Sequence, residues 1–134
     1  MNRKTLTKSL ILGLLIIIIS PLAMSHSNHG SDANVRAMAS MLANMQHFPS
    51  EADKSKLQEI LDHESSTDNE KTLASAIMRI KHQSNPEDAL LLDSIIESET
   101  ASGSVINIAI VIKNFSHGVS EADKRKLQLI NFKG

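Results

Sequence analysis

Three histidines stand at a constant spacing of 35 residues, and an aspartate follows each of them six positions later. These residues are His47, His82 and His117, with Asp53, Asp88 and Asp123. Imidazole and carboxylate groups are ligands for zinc, nickel and copper(II). The same groups also have local roles, because an imidazole near a helix end can donate to unpaired carbonyls and an Asp can cap the next helix.

We expect the local role for these six side chains. Equivalent residues in adjacent stacked repeats lie roughly 10 Å apart, one helix-pair width, whereas an imidazole binds a metal over about 2 Å. One metal site shared by the three histidines is therefore not expected. Each histidine is predicted to end a helix and to lean toward the aspartate that follows it.

A second candidate metal site lies near the amino terminus. If the chain is cleaved after Ser25, His26 offers its free amine and its ring nitrogen, with His29 nearby, a combination that suits copper(II). The alternative, which the short length of this segment favours, is a flexible polar linker without a ligand. His26 and His29 are nevertheless the residues that the sequence offers as metal ligands outside the repeated positions.

Catalysis is not predicted. The chain has no cysteine, which excludes disulfides and thiol chemistry. The Ser of HFPSEAD is explained as a helix cap, and a nucleophile would need a positioned base and a separate oxyanion site. We therefore expect no catalytic residue, no enzymatic activity and no cofactor.

The histidine spacing belongs to a longer repeat. Residues 47–60 read HFPSEADKSKLQEI, residues 82–95 read HQSNPEDALLLDSI, and residues 117–130 read HGVSEADKRKLQLI. A fixed period of this length indicates supersecondary units that bury their apolar faces against one another. The sequence predicts an all-α protein of three 35-residue helical-hairpin repeats, six helices in all, forming a compact bundle or a short solenoid.

Each repeat is predicted to contain two helices joined by a turn. Ser50, Asn85 and Ser120 are N-cap types, each followed three positions later by an Asp that can complete a capping box. The turns are expected near residues 48–50, 83–85 and 118–120. The hairpins are assigned to residues 36–70, 71–105 and 106–134.

Residues 105–112 read VINIAIVI and would form a strand on propensity alone. Their alignment with the first helices of the other repeats predicts a helix instead. A helix that is apolar nearly all round must be covered on most sides. We therefore expect the six helices to close into a compact bundle, or a homodimer to cover this helix.

The amino terminus has the layout of a secretory signal peptide. Basic residues precede an apolar run at positions 10–19, and Pro21 and small residues follow. An uncleaved anchor is the alternative, but a membrane span needs about 20 apolar residues. The prediction is a signal peptide at 1–25, a flexible tail at 26–35 and a repeat domain at 36–134, in a periplasmic or secreted protein without a stable membrane anchor after cleavage.

Charge and composition narrow the functional classes. Without residues 1–25 the chain has 11 basic and 15 acidic residues, which argues against nucleic-acid binding. Repeated helical units make extended binding surfaces. The predicted function is an exported, non-enzymatic module of the bacterial cell envelope that binds another protein; the alternative is a periplasmic metal-binding or metal-stress protein for copper, zinc or nickel.

The signal peptide gives a first testable prediction. Mass spectrometry of the protein isolated from the native envelope should show His26 as the first residue, because the charged, apolar and small-residue regions occur in the order that signal peptidase requires. Recovery from the membrane fraction with Met1 retained would contradict cleavage and support the uncleaved anchor.

Overall fold

The computed structural model describes residues 29–132, and side chains from residue 32 onward. This part of the chain contains six α-helices and no β-strand, so the predicted all-α class is confirmed. The helices are α1 (His29–Asn44), α2 (Glu51–Asp62), α3 (Asp68–Met78), α4 (Ala89–Ile96), α5 (Gly103–Lys113) and α6 (Glu121–Phe132). None of the helices at 29–132 has both the length and the apolar character that a membrane crossing requires.

The starts of α2 and α6 follow the predicted capping chemistry. The Ser50 hydroxyl accepts from the Asp53 N–H at 3.1 Å, and the Asp53 carboxylate accepts from the Ser50 N–H at 3.0 Å. At α6 the Ser120 hydroxyl accepts from the Asp123 N–H at 3.2 Å. These bonds satisfy N–H groups that a helix start leaves without partners.

The middle copy departs from this pattern. The Asn85 side chain accepts from the Glu87 N–H, and a short 3-10 turn at Pro86–Asp88 precedes α4. Asp88 makes no side-chain cap, so the prediction of a capping box here is wrong. The physical reason is that the buried Asp88 carboxylate is held by the Arg79 guanidinium, with Nε 3.1 Å from Oδ2.

Helices α3 and α5 have caps of their own. The Thr67 hydroxyl accepts from the Glu70 N–H while the Glu70 carboxylate accepts from the Thr67 N–H, and the Ser102 hydroxyl accepts from the Val105 N–H. The hairpin boundaries assigned at 70/71 and 105/106 therefore fall inside the first turns of these two helices. A boundary at each cap, near residues 67 and 102, matches the helices better.

Helix α1 begins earlier than the sequence analysis expected. Residues 29–35, which were assigned to a flexible tail, form its first turns. Val35 is already buried in the core. Burial of this apolar side chain favours helix over a solvated tail, so the flexible-tail prediction is wrong for 29–35.

The second helix of each predicted hairpin packs mainly against the first helix of another hairpin. Helix α2 packs mainly against α3, α4 against α5, and α6 against α1, while α1, α3 and α5 contact one another. The two helices inside each predicted hairpin contact each other less. Because the last helix lies against the first, the six helices form a closed set rather than an open stack.

The core contains leucines and isoleucines that stand at equivalent positions of the three repeats. Leu57, Leu92 and Leu127 are at most 1% exposed, and the three aligned isoleucines, Ile60, Ile95 and Ile130, are also buried. The stretch at 105–112 is helical, as predicted, and contributes five buried residues to α5. Helix α5 can bury them because α1, α3, α4 and α6 all contact it.

The burial of Leu92 predicts a large stability effect. Leu92→Ala should lower the free energy of unfolding by about 2 to 5 kcal/mol, because a fully buried leucine loses transfer energy and leaves a cavity. Leu90→Ala is the matched control, since Leu90 lies on the same helix and is 81% exposed. Equal, near-zero losses for both variants in urea unfolding would contradict the packing of α4.

Candidate metal centre

Three connecting segments meet at one place on the surface. Residues 45–50 join α1 to α2, residues 79–85 lie between α3 and the turn before α4, and residues 114–120 join α5 to α6. The His82 N–H donates to the His47 carbonyl at 2.7 Å, and the His117 N–H donates to the His82 carbonyl. Main-chain hydrogen bonds therefore link the three segments through the histidines themselves.

Additional bonds fix the second and third segments to each other. The Ser84 N–H donates to the Phe115 carbonyl at 3.0 Å, and the Ser84 hydroxyl donates to the Lys113 carbonyl at 3.1 Å. Gly118 brings the third segment beside the first. Its φ is +152°, and a Cβ placed on it would lie 3.6 Å from the Gln46 carbonyl oxygen. The ring positions thus depend on tertiary contacts of the backbone.

The imidazole rings of His47, His82 and His117 form one cluster. Their centroids are 5.1, 5.7 and 6.0 Å apart, and one nitrogen from each ring lies within 4.8 Å of the others. All three residues are exposed. The expected separation of roughly 10 Å between equivalent residues of a linear stack is therefore wrong, because closure of the helices brings equivalent positions together.

Two of the histidines have left-handed backbone conformations. The φ angles of His82 and His117 are +66° and +59°. Histidine occurs in this region more often than most residues, yet a side chain there still costs on the order of 1 kcal/mol relative to glycine. Such strained positions cluster at functional sites, so the use of histidine rather than glycine at both favours a role for the ring.

The predicted pairing of each histidine with its following aspartate is wrong. Asp53 binds Ser50, and Asp88 binds Arg79, whose pKa is raised chiefly by that hydrogen bond. Asp123 accepts from Lys126 and Ser120, which hold the pKa of its carboxyl below the usual range. The three carboxylates therefore hydrogen-bond to other side chains, and the imidazole rings lie against one another.

The predicted helix-capping role of the histidines is wrong as well. The residues that follow α3 and α5 and bond their last carbonyls are Arg79 and Asn114, three residues before His82 and His117 respectively. Among the side-chain hydrogen bonds of residues 29–132, the histidine ring that takes part is that of His63, with Ser65, while the rings of the clustered histidines lie against one another. Their nitrogen atoms remain available to a ligand.

The cluster has the donor set of a transition-metal site. Three imidazole nitrogens around a tetrahedral ion with bonds of about 2.05 Å would be about 3.3 Å apart. The nitrogens lie within 4.8 Å of one another, so the rings would have to rotate closer to bind one ion, and exposed side chains change rotamer readily. Imidazole suits zinc, copper and nickel, and three protein ligands leave a further coordination position open.

Among the described residues, this is the group of three or more His, Cys, Asp or Glu side chains that is close enough to hold one ion. His26, the first of the two ligands proposed near the amino terminus, lies outside the described residues. His29 begins α1, and its side chain also lies outside them. The repeat in the sequence singles out the three histidines but does not by itself predict that they converge, because that depends on whether the repeat is open or closed.

Comparisons with protein-family models, with curated proteins and with solved structures give no match to this chain.

The backbone geometry predicts how His82 can be replaced. His82→Asn should leave the free energy of unfolding of the metal-free protein within about 0.5 kcal/mol of the parent, because asparagine accepts the left-handed region and the site is exposed. His82→Gly should be equal or more stable. Urea unfolding with a chelator present measures both, and a loss above about 1 kcal/mol in each variant would show that the His82 ring stabilises the metal-free fold.

Proposed function

We propose that this protein binds one divalent transition-metal ion, zinc, copper(II) or nickel, through His47, His82 and His117. The observation that carries the proposal is the convergence of three imidazoles from three separate segments on one exposed point. Chance surface histidines have no reason to be joined through their own main-chain N–H and carbonyl groups, as these are. The absence of ring hydrogen bonds within the described chain leaves nitrogens free to coordinate.

We propose further that the fold is three 35-residue repeats arranged around a common axis. The repeat in the sequence and the cyclic packing of α2 on α3, α4 on α5 and α6 on α1 support this arrangement. In such a ring, residues at one repeat position surround the axis. The three histidines would meet for that reason, and three ligands would come from one repeated position.

We propose that the binding takes place outside the cytoplasm, in the periplasm or after secretion. This rests on the signal-peptide layout of residues 1–25. We also propose that the role is non-enzymatic, because no nucleophile with a positioned base was found in the sequence. Exchange or buffering of metal ions in the envelope fits an exposed site with few supporting contacts.

A protein-binding role, the leading prediction from the sequence, is the second candidate. Leu90 and Leu91 on α4 are 81% and 53% exposed, and exposed large apolar side chains can take part in contacts with other proteins. Capture of a defined partner from envelope extract that Leu90→Ser and Leu91→Ser both weaken would favour it. Equal capture by parent and variants would count against this face.

Calorimetric titration tests the metal site. The protein, purified as the producing cell processes it, should bind one equivalent of zinc, copper(II) or nickel. Its melting temperature should rise, because a ligand that binds only the folded state adds about 2.7 kcal/mol at a hundredfold excess over Kd. The triple variant His47→Asn, His82→Asn and His117→Asn should lose both effects.

Two controls separate this site from others. His63→Asn should bind as the parent does, because His63 lies at the end of α2, where its ring contacts Ser65. His26→Asn with His29→Asn should keep the thermal shift, which tests the amino-terminal ligands directly. A shift that survives the triple variant, or disappears with the amino-terminal pair, would refute the proposed site.

A further inference from the structure

We infer that the metal held by the three histidines takes a small monocarboxylate as an additional ligand, with the apolar chain of the acid in the cavity beside His82. This inference rests on the proposed metal site. It identifies the class of molecule that occupies the open coordination position.

The loaded centre would carry an uncompensated positive charge. Its three protein ligands are neutral imidazoles when they bind a metal, so a divalent ion keeps its full charge. The carboxylates nearest in sequence, Asp53, Asp88 and Asp123, are engaged by Ser50, Arg79 and Lys126 respectively. An anion from solution is therefore the favoured ligand for the open position.

An apolar cavity of about 370 Å³ shares His82 as a wall. Phe48, Met78 and Ile80 supply much of its lining. The Phe48 ring is edge-on to the His82 ring at 6.4 Å, and Phe48 is 59% exposed. A short hydrocarbon chain placed here would cover apolar surface while its carboxylate reaches toward the metal side of His82.

Two lysines also line this cavity, and their situations differ. Lys54 is paired with Glu51 at 2.7 Å, whereas Lys81 makes no ion pair within residues 29–132. Lys81 directly precedes His82 in the chain. Its ammonium group is thus available to the carboxylate of the ligand.

A second cavity that borders the cluster is less suitable. It borders His117 and has a volume of about 390 Å³, and its lining includes Asn114, Ser116 and Asp123. Its lining also contains Val111, Phe115 and Val119 but has no cation in the place that Lys81 takes in the first cavity, so a carboxylate gains less there. The two cavities therefore assign the ligand to the side of Phe48 and Lys81.

The test uses the cobalt(II)-loaded protein, because the visible absorption of cobalt(II) responds to a change of ligand. Butyrate should alter the spectrum saturably and should bind roughly tenfold more tightly than acetate, since its two additional methylene groups leave water. Butanol, which has the chain but no charge, should leave the spectrum unchanged. Gel filtration after titration should show that cobalt remains on the protein.

Variants locate the contacts. Lys81→Gln should weaken butyrate binding roughly two- to fivefold, as expected for an exposed ion pair, without changing cobalt affinity. Phe48→Ala should reduce the preference for butyrate over acetate toward one. Lys56→Gln is the matched control, because Lys56 lies on the exposed face of α2, paired with Glu59, and does not line this cavity.

The outcomes separate the two proposals. Failure of zinc, copper(II), nickel and cobalt(II) alike to bind at the three histidines would overturn the metal site and this inference with it. Cobalt binding without a spectral response to butyrate would overturn this inference alone. Equal affinities for butyrate and acetate, unaffected by Phe48→Ala, would also overturn it, because the carboxylate would then bind the metal without the cavity.

Discussion

The need to cover α5 constrains the whole arrangement. Its residues Val105, Ile108, Ala109, Val111 and Ile112 are all buried, and the other positions between 104 and 112 are partly buried. A helix of this kind is stable only when neighbours surround it, and here α1, α3, α4 and α6 do so. An open row of hairpins would leave one side of α5 in water, so the chain returns α6 to α1.

The position of the histidine cluster follows from that closure. In an open row the three connecting segments would be spread along the stack, and their histidines would be separated by the width of a repeat. In the closed arrangement the segments touch, and the His82 and His117 N–H groups find carbonyl partners in the preceding segment. Burial of the apolar helix faces thus positions the three histidines, although their side chains are exposed and lie outside the core.

Local chemistry made much of the fold predictable. Helix caps at Ser50 and Ser120, together with the apolar positions of Leu57 and Leu127, are short-range signals, and the structure has the caps and the burial. A prediction from strand propensity alone would be wrong at residues 105–112, which are helical. The apolar environment of the bundle outweighs the weak intrinsic preference of these residues for a strand. Alignment with the other repeats predicted the helix there correctly.

Tertiary contacts account for what the sequence did not predict. Asp88 was expected to cap a helix, but burial places it against Arg79, and a buried carboxylate needs such a cation more than a helix start needs a cap. The histidine cluster was missed for a related reason: the 35-residue period fixes equivalence of positions but not whether equivalent positions line up in a row or surround an axis. Packing among the helices of residues 29–132 brings these three positions together.

The character of the site follows from its exposure. Metal-binding imidazoles in tightly held sites are oriented by hydrogen bonds from their second nitrogen, and within residues 29–132 the rings of His47, His82 and His117 have none. Each ring must then lose rotational freedom when an ion binds, which lowers affinity. Water also has direct access to the exposed cluster, so an ion can leave stepwise as each imidazole is replaced. An ion held by exposed imidazoles of this kind would exchange more readily than one in a buried site, because the backbone brings the three nitrogens together while no second hydrogen bond fixes the orientation of each ring.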